Sequence, residues 1–342
     1  RGFTMAMTIY DISKKAGVSI ATVSRVLNGS ENVRPSTRKK VMDVIDKYDY
    51  TPNAFARGMG LHSLKTIGIL CADSSDLFLA KAVYFLEQEL QANGYESLLC
   101  CTGYNPDIKK NYLNLILSKK VDSIILVGSH FIGFNEDENQ YIKDVSTQVP
   151  IMLLNASFDH PNVYSTLCDD YGTMFEAATE MIQSGITDIL YLYDSKSYSG
   201  LKKLHGFCDA MKEYNIPGFE KLIHFYDGNI EHLNEVADFV ARIATKGTSF
   251  HGIMTSDDSL AIGSIKYAQK KGIRIPEELS VMGYNNSMLT NCCTPELTSV
   301  DNRLETQTHQ LVQTLLGVLA GEEMPKKSIF SGKIIKRGTT LF

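Results

Sequence analysis

The chain has 342 residues, too many for one compact domain and enough for two or three. Its net charge of −5 argues against a protein that binds nucleic acid over its whole surface. Residues 1–65, however, carry 11 Lys and Arg against five Asp and Glu, and the remainder carries 23 against 34. This distribution predicts a small basic head, which can meet phosphates, on a large acidic body.

Two short amphipathic helices separated by one glycine are predicted between Thr8 and Asn28. Thr8 can cap the first helix, with Asp11 at its acidic third position. Gly17 allows the tight turn, and Ser19 can cap the second helix. The spacing is typical of a helix-turn-helix DNA-binding unit. The alternative is a two-helix piece of an ordinary helical bundle.

The second helix has a distinctive outer surface. Val23, Val26 and Leu27 face inward, and short side chains with a single arginine face outward. Short residues let the backbone approach base edges in a major groove, where Arg25 can reach a guanine. The outward residues are Ile20, Ala21, Thr22, Ser24, Arg25 and Asn28.

A third helix is predicted from about Ser36 to Tyr48. Its beginning is basic, and its apolar face comprises Val41, Val44, Ile45 and Tyr48. The basic residues are expected to meet phosphates; they are Arg34, Arg38, Lys39 and Lys40.

The ordered motifs GVSxxTVSRVLN, VxxxTRxKV and YxPNxxAR resemble the lactose-repressor family of bacterial transcription regulators. Ser19, Thr22, Val23, Ser24, Arg25, Asn28, Thr37, Arg38, Pro52, Asn53, Ala56 and Arg57 match that family's residue types. The resemblance implies a head at 1–52 and a hinge helix within 53–65 that Asn53 caps. It places Met59 where the family has a leucine that wedges into the minor groove. A plain flexible linker is the alternative. The DNA-contacting set is Thr8, Ser19, Ile20, Ala21, Thr22, Ser24, Arg25, Asn28, Thr37, Arg38, Asn53, Arg57 and Met59.

Residues 66–342 alternate short apolar strands with helical stretches, which predicts parallel sheets in two Rossmann-like lobes. One lobe is expected at about 66–164 and 296–324, and the other at about 165–295 and 325–342. The predicted helices are Leu79–Asn93, Ile108–Lys119, Tyr171–Ser184 and Ser259–Lys271. The eight predicted strands are Thr66–Cys71, Glu96–Cys101, Ser123–Val127, Ile151–Leu154, Asp188–Tyr193, Leu222–Phe225, Gly252–Thr255 and Leu279–Tyr284.

The two lobes resemble the periplasmic-receptor-like, sugar-binding core of the same family, which implies an effector in the cleft between them. Lys203 stands in place of the family's ligand-binding arginine and offers a point charge instead of a planar fork. Asp257 stands where asparagine is common, and Asn285 where aspartate is usual. Phe78 would stack on a sugar or base, and core packing at a helix start is its alternative role. Asp257 could also act only as a helix cap. The implied effector residues are Leu77, Phe78, Ser129, Asn155, Lys203, Asp257 and Asn285.

Other functions find little support. No G-x-G-x-x-G, Walker or G-x-S-x-G motif is present, and His130 and His205 are isolated histidines, so neither an enzyme nor a cofactor is expected. The seven cysteines form no CxxC pair, which predicts reduced thiols and no metal site. No membrane-length apolar run or signal peptide occurs, so we expect a cytoplasmic protein. Met5 and Met7 are candidate native starts.

The sequence therefore predicts an effector-responsive transcriptional repressor that binds palindromic double-stranded DNA. The strand-like GKIIKRG near Phe342 leaves no length for a tetramer-forming helix, so a homodimer is expected. The expected effector is a carbohydrate. The alternatives are a regulator strengthened by a purine or a phosphorylated protein, and, from another class, an α/β enzyme or sugar receptor.

Overall fold

The structure is a computed structural model that describes residues 7–27, 30, 32–48, 50, 63–245 and 247–342. The chain forms two compact units, Arg1–Thr66 and Ile67–Phe342. The first contains the helical head and the second contains the α/β body. No helix among the described residues has the length and apolar character needed to cross a membrane.

The described residues of the head form three helices, α1 (Ile9–Ala16), α2 (Ile20–Leu27) and α3 (Pro35–Lys47). Thr8 and Asp11 form the predicted capping box at the start of α1: each side chain accepts a hydrogen bond from the other residue's backbone N–H. Gly17 ends α1 in the left-handed region, at φ 65°, where a side chain would be strained. These local features confirm the helix-turn-helix prediction.

The head core is a small apolar cluster drawn from all three helices. The predicted inward positions Val23 and Val26 are buried in it, as are Val41 and Ile45 of α3. The expectation for Tyr48 was wrong: its ring is exposed, and its hydroxyl lies 3.3 Å from Lys15 Nζ. Tyr50, beyond the end of α3, is buried in its place.

The body contains two six-stranded sheets. The first has the order β11-β5-β4-β3-β1-β2 and the second the order β12-β10-β9-β8-β6-β7. The pairings β1–β3, β3–β4, β4–β5 and β5–β11 are parallel, and β10–β12 is antiparallel. The first sheet comprises β1 (Thr66–Cys71), β2 (Glu96–Cys101), β3 (Ser123–Val127), β4 (Ile151–Leu154), β5 (Val163–Cys168) and β11 (Lys327–Phe330). The second comprises β6 (Ile189–Tyr193), β7 (Ile223–Phe225), β8 (Gly252–Thr255), β9 (Ser280–Tyr284), β10 (Thr298–Asp301) and β12 (Lys333–Ile335).

In the part of the body that the structure describes, eight α-helices cover the sheets. Four of them begin one or two residues earlier than predicted because Asp76, Asn105, Asp169 and Asp257 cap them through their side chains. The helices of the body are α4 (Leu77–Ala92), α5 (Pro106–Ser118), α6 (Gln140–Ser146), α7 (Asp170–Gln183), α8 (Tyr198–Glu213), α9 (Leu233–Thr245), α10 (Asp258–Lys271) and α11 (Leu304–Leu319).

The predicted lobe boundaries were wrong at three strands. β5 and β11 belong to the first sheet although 165–168 and 327–330 were assigned to the second lobe, and β10 belongs to the second sheet although it was assigned to the first. The chain crosses between lobes directly after each of these strands. Each of these strands is followed within a few residues by an element of the other lobe, so local hydrophobicity does not reveal the crossing.

The prediction of eight body strands was too low, since twelve lie in the described residues. The eight predicted strands are present, five with the predicted bounds. The four extra strands are β5 and the three near the C-terminus, β10, β11 and β12. β5, β10 and β11 are short or rich in Ser, Thr and Lys, so hydrophobic patterning missed them, whereas β12 lies within the GKIIKRG segment already described as strand-like.

Candidate functional site

The outer face of α2 is the first candidate site. Ile20, Ala21 and Arg25 are exposed, and Thr22 and Ser24 are partly exposed. Ile20 is a large apolar residue that is 39% exposed on the surface of the head. A helix face with short side chains, one apolar group and one arginine has the shape and the donors that major-groove recognition requires.

The beginning of α2 is organised by two hydroxyl groups. Ser19 Oγ accepts a hydrogen bond from Thr22 N (3.2 Å) and lies 2.9 Å from Thr22 Oγ1. The pair caps the helix, so part of its hydrogen-bonding capacity is used within the head. Ser19 remains exposed, and the free N–H groups of a helix N-terminus suit a phosphate oxygen.

The basic start of α3 divides into a structural and an exposed part. Arg38 Nη2 donates to Ser30 O (2.6 Å), which ties α3 to the segment after α2. Thr37 is partly exposed, whereas Arg34, Lys39 and Lys40 are exposed. Thr8, expected at the DNA, is exposed but is occupied by its bonds to Asp11. The expected contacts Asn28, Asn53, Arg57 and Met59 lie outside the described residues.

The second candidate site is a cleft of about 660 Å³ between the two lobes of the body. It collects residues that follow the carboxyl ends of strands in both sheets, where ligands bind in open α/β folds. Leu77, Phe78, Asp257 and Asn285 line it. A narrower recess continues inward past Ser129, Asn155 and Lys203. All seven predicted effector residues therefore line one connected region.

Asp257 and Asn285 bind each other as well as the fold. Asp257 Oδ1 accepts from Ser259 N (2.7 Å) and so caps α10, and its Oδ2 accepts from Asn285 Nδ2 (2.8 Å). Asn285 Oδ1 in turn accepts from Asn302 Nδ2 (3.0 Å). Burial, followed by the nearby charge of Asp194, raises the pKa of Asp257. The helix-cap role weighed for Asp257 is present, and both side chains also reach the cleft.

Lys203 is buried and makes its contacts within the second lobe. It is 8% exposed, its Nζ donates to Ser256 O (3.0 Å), and the same atom lies 3.9 Å from the ring centre of Tyr284. Its charge also favours the buried carboxylate of Asp170, whose pKa burial raises. Lys203 thus neutralises a carboxylate behind the cleft wall, and its contact with an effector stays a prediction.

Several residues of the cleft were missed by sequence reasoning. Asp194 and Ser195 follow β6 directly, Tyr104 lies shortly after β2, and Asp76 caps α4. His130 was dismissed as an isolated histidine, but it lines the cleft, packs edge-on against Tyr104 and lies 3.5 Å (Nε2) from Ser195 Oγ. Applying the strand-end rule to every strand would have found Asp194 and Ser195.

The two lobes meet behind the cleft through hydroxyl groups. Ser129, after β3 of the first sheet, donates from Oγ to Ser197 Oγ (2.8 Å), which caps α8 on the second lobe. Burial lowers the pKa of His130 to about 4, with the charge of Lys109 acting in the same direction. The histidine is therefore neutral at physiological pH, and the contact between the lobes is uncharged.

The cleft is strongly acidic. Of the described residues that line it, six are carboxylates and only Lys203 is a lysine or arginine. Burial, with a contribution from Asp257, raises the pKa of Asp76 to about 6. No group of three or more potential metal ligands occurs in the part of the chain that the structure describes. The six carboxylates are Asp73, Asp76, Asp194, Asp227, Glu231 and Asp257.

Comparison with known proteins identifies the family. The model of the lacI family of bacterial regulatory proteins matches residues 8–53, and that of the periplasmic binding protein-like domain matches residues 178–340. An HTH-type transcriptional regulator of Lachnoclostridium phytofermentans is 49% identical over 98% of this chain and 100% of its own length. The chain belongs to the lacI family. It is a DNA-binding transcriptional regulator.

A further relative supports this assignment, and two solved structures share the fold. Catabolite control protein A of Priestia megaterium is 33% identical over 86% of this chain and 87% of its own length. The lac repressor dimer bound to operator and the anti-inducer ONPF has the same fold, with a TM-score of 0.87 at 20% identity over 98% of this chain and 100% of that one. The CelR–cellobiose complex matches with a TM-score of 0.69 at 20% identity, over 97% and 99% of the two chains. The lacI family consists of transcriptional regulators, which agrees with the lack of catalytic motifs.

Proposed function

We propose that this lacI-family member is a homodimeric cytoplasmic repressor that leaves its operator when an uncharged saccharide occupies the interlobe cleft. The observation that carries the proposal is the chemistry of that cleft, in which carboxylate and amide groups lie beside aromatic rings. Carboxylates accept hydrogen bonds from sugar hydroxyls. The rings of Phe78, Tyr104 and Phe225 offer apolar faces for the C–H surface of a sugar.

The charge of the cleft narrows the class of effector. A phosphorylated sugar or a nucleotide would bring a negative charge among six carboxylates that a single buried lysine does not offset. A neutral saccharide meets no such repulsion. The cavity of about 660 Å³ lies within the usual range of roughly 300–1,000 Å³ for small-molecule sites. The cellobiose in the CelR complex is a neutral disaccharide and supports this choice by analogy.

At the DNA, α2 lies in the major groove with Arg25 on a guanine, and Ile20 and Ala21 contact neighbouring bases. Two heads of a dimer then meet half-sites about one helical turn apart. The exposed Arg34, Lys39 and Lys40 bind phosphates. The lac repressor dimer bound to operator supports this arrangement by analogy.

The switch is a population shift. The saccharide stabilises one relative position of the two lobes, and the operator stabilises another, so that each ligand weakens the binding of the other. The hydrogen bond between Ser129 and Ser197 joins the two lobes, so a change in their relative position would alter it. The segment 53–65 connects this body to the head and carries the change.

Calorimetric titration of the full-length protein with glucose, cellobiose and glucose 6-phosphate tests the effector class. We expect a neutral sugar to bind at least about tenfold more tightly than the phosphorylated one, since like charges repel in a partly buried site. Adding the sugar to a complex with a selected palindromic duplex should release the DNA. Tighter DNA binding, or preference for the phosphorylated sugar, would contradict the proposal and favour co-repression.

Asp257→Ala tests the cleft itself. Removing the acceptor should weaken saccharide binding roughly tenfold to a hundredfold, because an unpaired buried hydroxyl costs about 1–3 kcal/mol. Operator affinity without saccharide should be unchanged. Asp238→Ala, which removes an exposed carboxylate paired with Lys270 outside the cleft, is the matched control and should change neither affinity. Unchanged saccharide affinity in Asp257→Ala would leave Asp257 with its capping role alone.

A further inference from the structure

Two cysteines on neighbouring strands lie with their sulfur atoms close together. Cys71 ends β1 and Cys101 ends β2, and their Sγ atoms are 3.7 Å apart. Thr102 N donates to Cys71 O, so the two residues are opposite each other across the strand pair. Neighbouring strands are about 4.7–4.9 Å apart, and disulfides join Cα atoms about 4.4–6.8 Å apart. The backbone spacing expected here is therefore compatible with a disulfide.

The two thiols differ in their environments. Cys71 is buried in the apolar core of the first lobe, whereas Cys101 is exposed on the edge strand β2. Burial, with the neighbouring Cys101, raises the pKa of the Cys71 thiol to about 12. An oxidant from solution therefore reaches Cys101 first, and Cys71 is placed to react second.

Both cysteines are followed in sequence by segments that line the cleft. The segment that follows Cys71 contains Asp76 and Phe78, and the segment that follows Cys101 contains Tyr104; all three line the cleft. Thr102 N and Gly103 N donate to Cys71 O and Ala72 O, so the two segments are already joined at their beginnings. A covalent bond at this point would fix one wall of the cleft.

We propose that Cys71 and Cys101 are an oxidation-sensitive thiol pair that closes to an intramolecular disulfide and links the two loops of the first-lobe cleft wall. A peroxide is the oxidant. The Cys101 thiolate attacks a peroxide oxygen, the O–O bond breaks, and the sulfur becomes a sulfenic acid. The hydroxide that leaves combines with the proton lost by the Cys101 thiol to form the first water. The Cys71 sulfur then attacks the Cys101 sulfur, forming the S–S bond and breaking the S–O bond. The thiol proton leaves with the hydroxyl as water, so two thiols and one hydrogen peroxide give one disulfide and two waters.

Peroxide treatment of the full-length protein, followed by alkylation and non-reducing peptide mapping, tests this assignment. We expect a peptide pair joined through Cys71 and Cys101, a mass lower by about 2 Da for the two hydrogens lost, and reversal by dithiothreitol. Cys100→Ser is the matched control. Cys100 precedes Cys101 on β2, points to the opposite face of the sheet and packs against a different cluster, so this variant should still form the disulfide.

Cys101→Ser should leave Cys71 reduced under the same treatment, and its substitution at an exposed position should not disturb folding. The proposal is overturned if wild-type protein keeps both thiols, if Cys101 stops at sulfinic acid, or if it pairs with Cys100 or with another chain.

Hydrogen exchange of segments 72–78 and 102–104 should slow on oxidation of the wild type and of Cys100→Ser only. Unchanged exchange in an oxidised, correctly paired wild type would overturn the link to the cleft wall.

Discussion

The head and the body place their functional side chains in opposite ways. On α2, Ile20, Ala21 and Arg25 are exposed, while the buried side of the same helix forms the core. In the body, Asp257 and Asn285 bind each other and cap or brace helices at the same time as they face the cleft. The proposed DNA-contacting residues can therefore change without cost to folding, whereas the proposed effector-binding residues also stabilise the second lobe.

The largest effect is expected for a buried, hydrogen-bonded residue of the body. Asp170 accepts hydrogen bonds from Ser199 Oγ (2.5 Å) and Tyr284 OH (2.6 Å) and lies near the Lys203 charge. Asp170→Ala leaves two buried hydroxyls without their acceptor and removes the negative charge near the buried Lys203 ammonium, so the free energy of unfolding of the body should fall by about 3–5 kcal/mol. Urea unfolding of the full chain, followed by circular dichroism, measures the loss. The control Asp209→Ala, at a partly exposed carboxylate paired with Lys212, should lose less than about 1 kcal/mol; similar losses in both variants would contradict the buried role.

Arg25→Ala tests the exposed residues of the head. The variant should lose about 1–3 kcal/mol of operator binding free energy and much of the base preference at one position of the operator. Its free energy of unfolding should be unchanged. Lys40→Ala, an exposed cation on α3, should instead weaken binding to all sequences alike and reduce the salt dependence by about one ion. Fluorescence anisotropy at several salt concentrations separates the two effects. Operator binding by Arg25→Ala with wild-type affinity and base preference would show that α2 is not the reading helix.

Asp76, which lines the cleft and caps α4, should make the free energy of unfolding depend on pH. Its pKa is raised to about 6 from a usual value near 3.8, chiefly by burial. Between these values the folded protein holds a proton that the unfolded chain releases, so the free energy of unfolding should fall as pH rises from about 4 to 6, by roughly 1–3 kcal/mol. Asp76→Asn keeps a capping side chain but cannot titrate, so its pH profile should be flatter by this amount in chemical denaturation. Parallel profiles for the two proteins would contradict a buried, titrating Asp76.

The smallest expected effect lies in the head. Gly17 has a φ of 65° and open space around its Cα, so an added methyl group would clash with nothing but would strain the backbone. Gly17→Ala should destabilise the head by about 1 kcal/mol. Gly17→Asn should lose less, since asparagine tolerates this region. Native-state hydrogen exchange of α1 and α2 in the full chain measures both changes; equal protection in all three proteins would contradict the strain.

The sequence predicted best those features whose determinants are local. The capping box of Thr8 and Asp11, the turn at Gly17 and the bounds of strands such as β1 and β3 follow from neighbouring residues, and the structure has them. The lobe membership of β5 and β10 depends on which distant strand each one pairs with, and hydrophobic periodicity carries no such information.

In the cleft, too, contacts between residues distant in sequence could not be predicted. Matching to the family placed Lys203 at the effector, but its bond to Ser256 O and its position over Tyr284 depend on the packing of α8 against the second sheet. His130 was dismissed because nothing near it in sequence suggested a site; its neighbours Tyr104 and Ser195 come from other segments. The burial of Tyr50 instead of Tyr48 is likewise decided where α3 ends.

The last two strands have a consequence for synthesis on the ribosome. β11 (Lys327–Phe330) is an edge strand of the first sheet and β12 (Lys333–Ile335) an edge strand of the second, so residues within one short stretch complete both lobes. The head can fold once Tyr50 has emerged, because the described residues of its core all lie at or before that position. Neither lobe is finished until these two strands have been synthesised. A nascent chain would thus carry a folded DNA-reading module well before it has a complete receptor for the signal that governs it.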